Sequence, residues 1–218
     1  MNIENIFRNL SLKTSSNTHL PNSASVFLAN MSSEMVKNNM NVLEIGSGIG
    51  HVSIVLSKIF KNANFLGFEV QKGLYDLSLE NKITNNVRNV EFVNDDVKNI
   101  SNYYDNEFFD LIISNPPHYV SGKTSNIKDR RTARTFDEKN IIDFLDNSYK
   151  MIKNKKNIFF VLHSNTFRNF FYYSIERNLE PFEIIPAYGS NSKESQLIGL
   201  KMRKNGGKNL TFKKPYII

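Results

Sequence analysis

Residues 41–50 constrain the fold more than any other stretch. Asn41-Val42-Leu43-Glu44-Ile45 reads as a short buried strand running into Gly46-Ser47-Gly48-Ile49-Gly50, and behind the glycines Val52, Val55, Leu56 and Ile59 recur at helical spacing. Strand, glycine turn and helix in succession form a nucleotide-type site: glycines let the backbone approach a ligand, and a helix start offers free N–H groups. A dinucleotide fingerprint places two residues between its second and third glycines, whereas here only Ile49 intervenes. The spacing therefore points to a different ligand.

The same alternation continues downstream. Asn64-Phe65-Leu66-Gly67-Phe68-Glu69 predicts a second strand, with Glu69 placed at its end to accept hydrogen bonds from a ribose diol. A helix over about 72–85 brings the chain back to a third strand, Val90-Glu91-Phe92-Val93, which ends at Asn94-Asp95-Asp96. The carboxylates of Asp95 and Asp96 could meet an adenine amine or could cap a helix. The apolar run Phe108-Phe109-Asp110-Leu111-Ile112-Ile113 then stops at Ser114-Asn115-Pro116-Pro117-His118-Tyr119. Each proline fixes its own φ and biases the residue before it to extended backbone, so Asn115 and Pro116 stand in a stiff loop at a strand end. Two fixed acceptors, the Asn115 amide oxygen and the Pro116 carbonyl, with an aromatic ring beyond them, suit a planar group bearing an NH2.

Strands alternating with helices imply an α/β fold whose parallel sheet binds ligands beyond the carboxyl ends of its strands, so all four loops fall on one edge. A further helix through Ile141, Phe144 and Leu145, a strand over 157–162, a helix from Ser164 and two more strands near 182–185 and 196–202 complete the pattern. Residues 1–22 read as a polar N-terminal segment with little periodicity, loop-like at Ser15-Ser16-Asn17-Thr18, and 23–40 as a leading helix; with no repeat and no clear linker, residues 1–218 are expected to form one domain.

Composition narrows the function classes. The 218 residues hold no cysteine, which excludes thiolate chemistry and disulfides and fits a reducing, cytoplasmic setting. No secretory signal or membrane-spanning run is expected, and the four histidines lack metal-ligand spacing, so no metal is expected either. His51, after the third glycine, is read as shaping the helix start. The net charge of +7 favours a polyanionic partner, although an asparagine- and lysine-rich composition produces the same charge without one.

Val42 to Gly50 resembles the first motif of class I S-adenosylmethionine-dependent methyltransferases, and Asn115-Pro116-Pro117 resembles the fourth motif of those that methylate an exocyclic or amide nitrogen. The resemblance runs from about residue 21 to the C-terminus. It implies a Rossmann-like, largely parallel seven-stranded sheet with helices on both faces. It implies S-adenosyl-L-methionine as cofactor, held by Glu44, Gly46, Ser47, Gly48, Gly50, Glu69, Asp95 and Asp96. The catalytic loop would be Asn115, Pro116, Pro117, His118 and Tyr119.

Arg131-x-x-Arg134 and a hairpin-like ending at Gly206-Gly207 resemble the bacterial tRNA adenine N6-methyltransferases that act beside the valine anticodon. On that resemblance the partner is RNA, most simply tRNA, and Lys123, Lys128, Arg130, Arg131 and Arg134 would hold its phosphates. Those enzymes mostly carry Tyr or Phe after the second proline, where this chain has His118 followed by Tyr119. Ribosomal-RNA guanine N2-methyltransferases share a similar loop. Release-factor glutamine methyltransferases share it too, usually with an additional N-terminal helical domain for which this length leaves no room.

Overall fold

The computed structural model describes residues 3–14, 21–116, 138–189 and 194–218. In chain order these form α1 (Ile3–Arg8), α2 (Ser23–Ser33), β1 (Asn41–Ile45), α3 (His51–Ile59), β2 (Asn64–Phe68), α4 (Lys72–Thr84) and β3 (Val90–Val93). A 3-10 helix over Val97–Asn102 follows, then β4 (Phe109–Ser114), α5 (Glu138–Met151), β5 (Ile152–His163), α6 (Ser164–Glu176), β6 (Leu179–Tyr188), β7 (Leu197–Lys204), β8 (Thr211–Phe212) and β9 (Tyr216–Ile217).

The sheet runs β3-β2-β1-β4-β5-β7-β6-β8, with β9 also on β6. Pairs among β1 to β5 are all parallel, and only β7 runs antiparallel to its neighbours β5 and β6. This is the Rossmann-like class I methyltransferase architecture, its seven principal strands extended by the two-residue strands β8 and β9.

Period-two alternation distributes the core to both faces. Val42, Phe65, Leu111, Ile113, Phe159 and Val161 pack with Phe27, Ile54 and Val55 on one side. Leu43, Leu66, Ile112, Phe160 and Leu162 pack with Ile100, Phe144 and Phe170 on the other. Strands buried on both faces are apolar nearly throughout, which is why the runs carried no amphipathic signature.

Three expectations change. The segment 1–22 contains the short helix α1, whose Ile3 and Phe7 bury against the first cluster, so two apolar residues four apart outweighed the polar composition. The leading helix starts where expected, capped by the Asn22 side chain on the Ser25 N–H at 3.1 Å, but ends at Ser33 instead of 40. Asn39 takes a left-handed φ of 62° and its N–H bonds Asn62 O, turning the chain into β1. Finally, the segment through Gly206 and Gly207 is not a hairpin: β8 pairs in parallel with β6, on the side away from β7.

Candidate functional site

Parallel pairing aligns the ends of β1, β2, β3 and β4, and the loops that follow them share one edge. Ile45 lies opposite Phe68 on one side and Ser114 on the other, so the glycine turn stands between the Glu69 and Asn115 strand ends. The Ser114 hydroxyl donates to Ile45 O at 2.6 Å and locks β4 to β1 just before Asn115.

The glycine turn is built from its own backbone. Gly46, Gly48 and Gly50 have φ of 74°, 55° and 80°, all in the left-handed region. The N–H groups of Gly46 and Ser47 both donate to Phe68 O, at 2.8 and 3.1 Å, and Gly50 N–H donates to Ser47 O at 2.9 Å. A side chain at Gly50 would collide with the Phe92 ring, its Cβ falling 2.4 Å from the nearest carbon. A Cβ at Gly46 or Gly48 would meet nothing within 4 Å. Gly50 is therefore demanded by packing, whereas Gly46 and Gly48 border open space beside a bare backbone, as a ligand cradle requires.

Two buried acids face this turn. Glu44 is 4% exposed and accepts from both the N–H (3.0 Å) and the hydroxyl of Ser53, in the first turn of α3. Burial pushes its carboxyl up to about 8; the Ser53 hydrogen bonds oppose that shift, and the Glu69 charge adds to it. Glu69 accepts Gly48 N–H on one oxygen and Gln71 N–H on the other, each at 2.8 Å. Burial also raises the Glu69 carboxyl, against those backbone donors. A carboxylate has roughly four acceptor sites, so Glu69 retains capacity to accept further hydrogen bonds.

Asp95 and Asp96 both make hydrogen bonds around the start of the 3-10 helix. Asp96 caps the 3-10 helix, accepting Lys98 N–H at 3.0 Å. Asp95 accepts from Asn99 (2.8 Å) and the Tyr103 hydroxyl (2.9 Å), and these donors hold its carboxyl below the usual range. Directly after β4, the Asn115 Oδ1 is buried yet accepts no hydrogen bond among the described residues. The buried Ser47 hydroxyl is likewise unpartnered there. Pro117, His118, Tyr119, Lys123, Lys128, Arg130, Arg131 and Arg134 lie outside the described residues.

Several residues that organise this edge escaped the sequence reading. Asn94 donates to Glu69 O (2.8 Å) and Val70 O (3.2 Å), joining the ends of β2 and β3. Asn81, fully buried on α4, donates to Ile49 O at 3.0 Å and exchanges bonds with the Lys13 backbone, tying the N-terminal segment to the glycine turn. Ser53 could have been found, because a tight turn returns the start of α3 to the end of β1. The His51 Nε2 lies 2.7 Å from the Ser25 hydroxyl, fastening the start of α3 to α2. Among the described residues no cluster of three or more acids, histidines or cysteines could hold a metal, and no helix is long and apolar enough to cross a membrane.

Residues 13–138 match the family model of the methyltransferase small domain. The chain is 32% identical over 118 residues to a release factor glutamine methyltransferase of Fusobacterium nucleatum, covering 53% of this chain and 32% of that protein. It is 26% identical over 132 residues to a tRNA1(Val) (adenine(37)-N6)-methyltransferase of Actinobacillus pleuropneumoniae, covering 58% and 53%. These alignments thus span about a third to a half of the curated relatives. In fold it is similar to a methyltransferase from Pyrococcus furiosus, with a TM-score of 0.68 at 16% identity over 93% of this chain and 94% of the other.

Proposed function

The chain belongs to the methyltransferase small domain family, whose members draw on S-adenosylmethionine, and from that premise we propose that it methylates an exocyclic amino nitrogen of a base in RNA, adenine N6 in tRNA. The observation that carries the reading is the buried Asn115 Oδ1, unpartnered among the described residues, beside the open glycine cradle. A buried carbonyl oxygen without a donor costs about 1–3 kcal/mol, a cost that a substrate N–H would remove.

The cradle at Gly46 and Gly48, with Glu69 at its side, fits the cofactor, whose sulfonium supplies an electrophilic methyl group when bound. The chain's own residues supply orientation. An adenine amino nitrogen is a weak nucleophile because its lone pair is delocalised into the ring. Acceptance of its N–H groups by Asn115 Oδ1 and the Pro116 carbonyl favours tetrahedral nitrogen and frees the lone pair. The same acceptors stabilise the positive charge that develops on nitrogen; formation of the N–C bond would be matched by loss of the S–C bond to a neutral thioether, and the extra proton would then pass from nitrogen to water, so no strong base is needed. His118 or Tyr119 would stack on the base, contributing about 1–3 kcal/mol. The base must leave its stack to reach the site, which favours a loop over a duplex interior.

A second reading has its own support. The 32% identity to a release factor glutamine methyltransferase exceeds the 26% to the tRNA enzyme, and a glutamine side-chain amide offers the same two N–H groups to the same acceptors. Purified protein incubated with radiolabelled S-adenosylmethionine and total RNA from cells lacking the gene, followed by nucleoside mass analysis, separates the two. N6-methyladenosine in the tRNA fraction that disappears with Asn115→Ala supports the proposal. Methylguanosine moves the acceptor to guanine, and label in release factor alone replaces RNA with protein.

A further inference from the structure

At the opposite edge of the sheet the β4–β5 ladder is interrupted. Ile152 pairs with Phe109 and Asn157 with Leu111, so Lys153, Asn154, Lys155 and Lys156 have the single residue Asp110 opposite them. Bulges of this kind re-aim side chains. Here one acid meets two of the three lysines: Asp110 Oδ1 lies 3.0 Å from Lys153 Nζ and 3.6 Å from Lys156 Nζ.

The bulge is held at base and tip. Buried Lys204 donates to Tyr149 O (2.8 Å), Ile152 O (3.1 Å) and the Glu107 carboxylate (2.8 Å). Lys155 donates to Asn205 O, and Asn205 donates to the Asn154 side chain at 3.0 Å. Lys155 itself takes a left-handed φ of 61°, a conformation that disfavours a long side chain. The fold thus holds a strained lysine in a fixed place, which lowers the ordering cost of any ligand that meets it.

Beside the bulge is a cavity of about 320 Å³ lined by Lys37, Lys155, Lys156 and Arg203, with Glu34 and Asp110 as its acids. Both acids already have cations, Glu34 with Lys201 at 3.6 Å and Asp110 with the bulge lysines. Lys37 has no ion pair among the described residues, and Arg203 bonds Asn157 through Nε alone while its guanidinium stacks on Phe182. Unspent positive charge therefore lines a concave, preorganised surface.

We propose that this cavity and the lysine bulge form a phosphate-backbone contact for RNA, on the sheet edge opposite the methyl-transfer site. Ammonium and guanidinium donors on a rigid frame suit phosphodiester oxygens. Strands of five or six residues separate the two edges by about 20 Å, a span that a polynucleotide bridges and a single nucleotide does not. The identity of the polyanion rests on the RNA reading above.

The test is binding of a fluorescein-labelled tRNA to the full chain across a salt series, comparing wild type, the triple variant Lys37→Gln/Lys155→Gln/Lys156→Gln, and Arg203→Gln. S-adenosylmethionine affinity and circular dichroism report the integrity of the fold. The triple variant is expected to bind roughly 10–100-fold more weakly near 0.1 M salt, with a salt slope lower by about 3, and Arg203→Gln to lower the slope by about 1. Slopes equal to wild type in variants that still bind cofactor overturn the inference. If RNA is methylated but the slopes do not move, only this inference falls. If no RNA is methylated and the slopes do fall, only the methylation reading falls. Inorganic pyrophosphate that binds the wild type, is lost in the triple variant and leaves tRNA binding untouched would reassign the cavity to a free phosphate ligand and overturn the RNA contact.

Discussion

The two ends of the same parallel strands solve different physical problems. At the carboxyl ends the chain uses backbone: three left-handed glycines, N–H groups that hold Glu44 and Glu69, and a buried Asn115 oxygen without a donor among the described residues. At the amino ends it uses charge against charge, with Asp110 among lysines and Lys204 buried under carbonyls. The first arrangement fixes atoms within fractions of an ångström and suits a reaction. The second is long-ranged and salt-sensitive, and suits an extended polyanion.

The contrast can be broken most decisively at Asn115. Asn115→Ala is expected to slow methyl transfer by about 10²–10³-fold, as loss of one oriented group at a reacting centre does, with cofactor affinity unchanged. Single-turnover kinetics with calorimetry of S-adenosylmethionine binding checks both, and a near-wild-type rate would remove Asn115 from the chemistry.

Within the glycine turn the prediction is a split between neighbours. Gly50→Ala meets Phe92 at 2.4 Å in a left-handed backbone and should cost about 2–4 kcal/mol of stability. Gly48→Ala meets nothing and should cost about 1 kcal/mol, yet weaken cofactor binding about tenfold. Denaturant midpoints and cofactor titration on both variants would expose equal behaviour, which the packing account does not allow.

Lys204→Met sharpens the other end. It removes a buried ammonium with three acceptors and should destabilise by about 2–3 kcal/mol. By loosening the bulge it should weaken tRNA binding while leaving cofactor affinity intact. Loss of cofactor binding in a folded variant would show the two edges to be coupled.

The last effect is on pH. Glu44 rises from 4.5 to about 8 in the folded chain, so the native state holds a proton that the unfolded state releases. Its stabilisation is full below about pH 4.5 and declines towards pH 8 by about 1.4 kcal/mol per unit. Glu44→Gln keeps an acceptor for Ser53 and should flatten the profile of unfolding midpoints between pH 5 and 8. Parallel profiles would mean that Glu44 is ionised in the native state.

The strand–turn–helix order, the doubly buried strands and the edge that collects Gly46, Gly48, Glu69 and Asn115 were all legible in the residues, because glycine conformation, apolar runs and proline act locally. The helix at Ile3–Arg8, the turn at Asn39 and the parallel docking of β8 on β6 were not, since each depends on a surface supplied by distant segments. The same holds for Glu44 and Asp96. Their positions at strand ends were evident, but only the packed α3 start gives Glu44 its Ser53 donors and raises its affinity for a proton, and only the local fold turns Asp96 into a cap. The lysine bulge is the clearest case. Lys153, Lys155 and Lys156 are a common charge run in sequence, and become a shaped surface only where the β4–β5 register slips around Asp110 and Lys204 pins the slip in place. Sequence alone determined what short-range sterics and apolar periodicity control. Tertiary structure decided burial, register and charge pairing, because those depend on which distant groups are brought together.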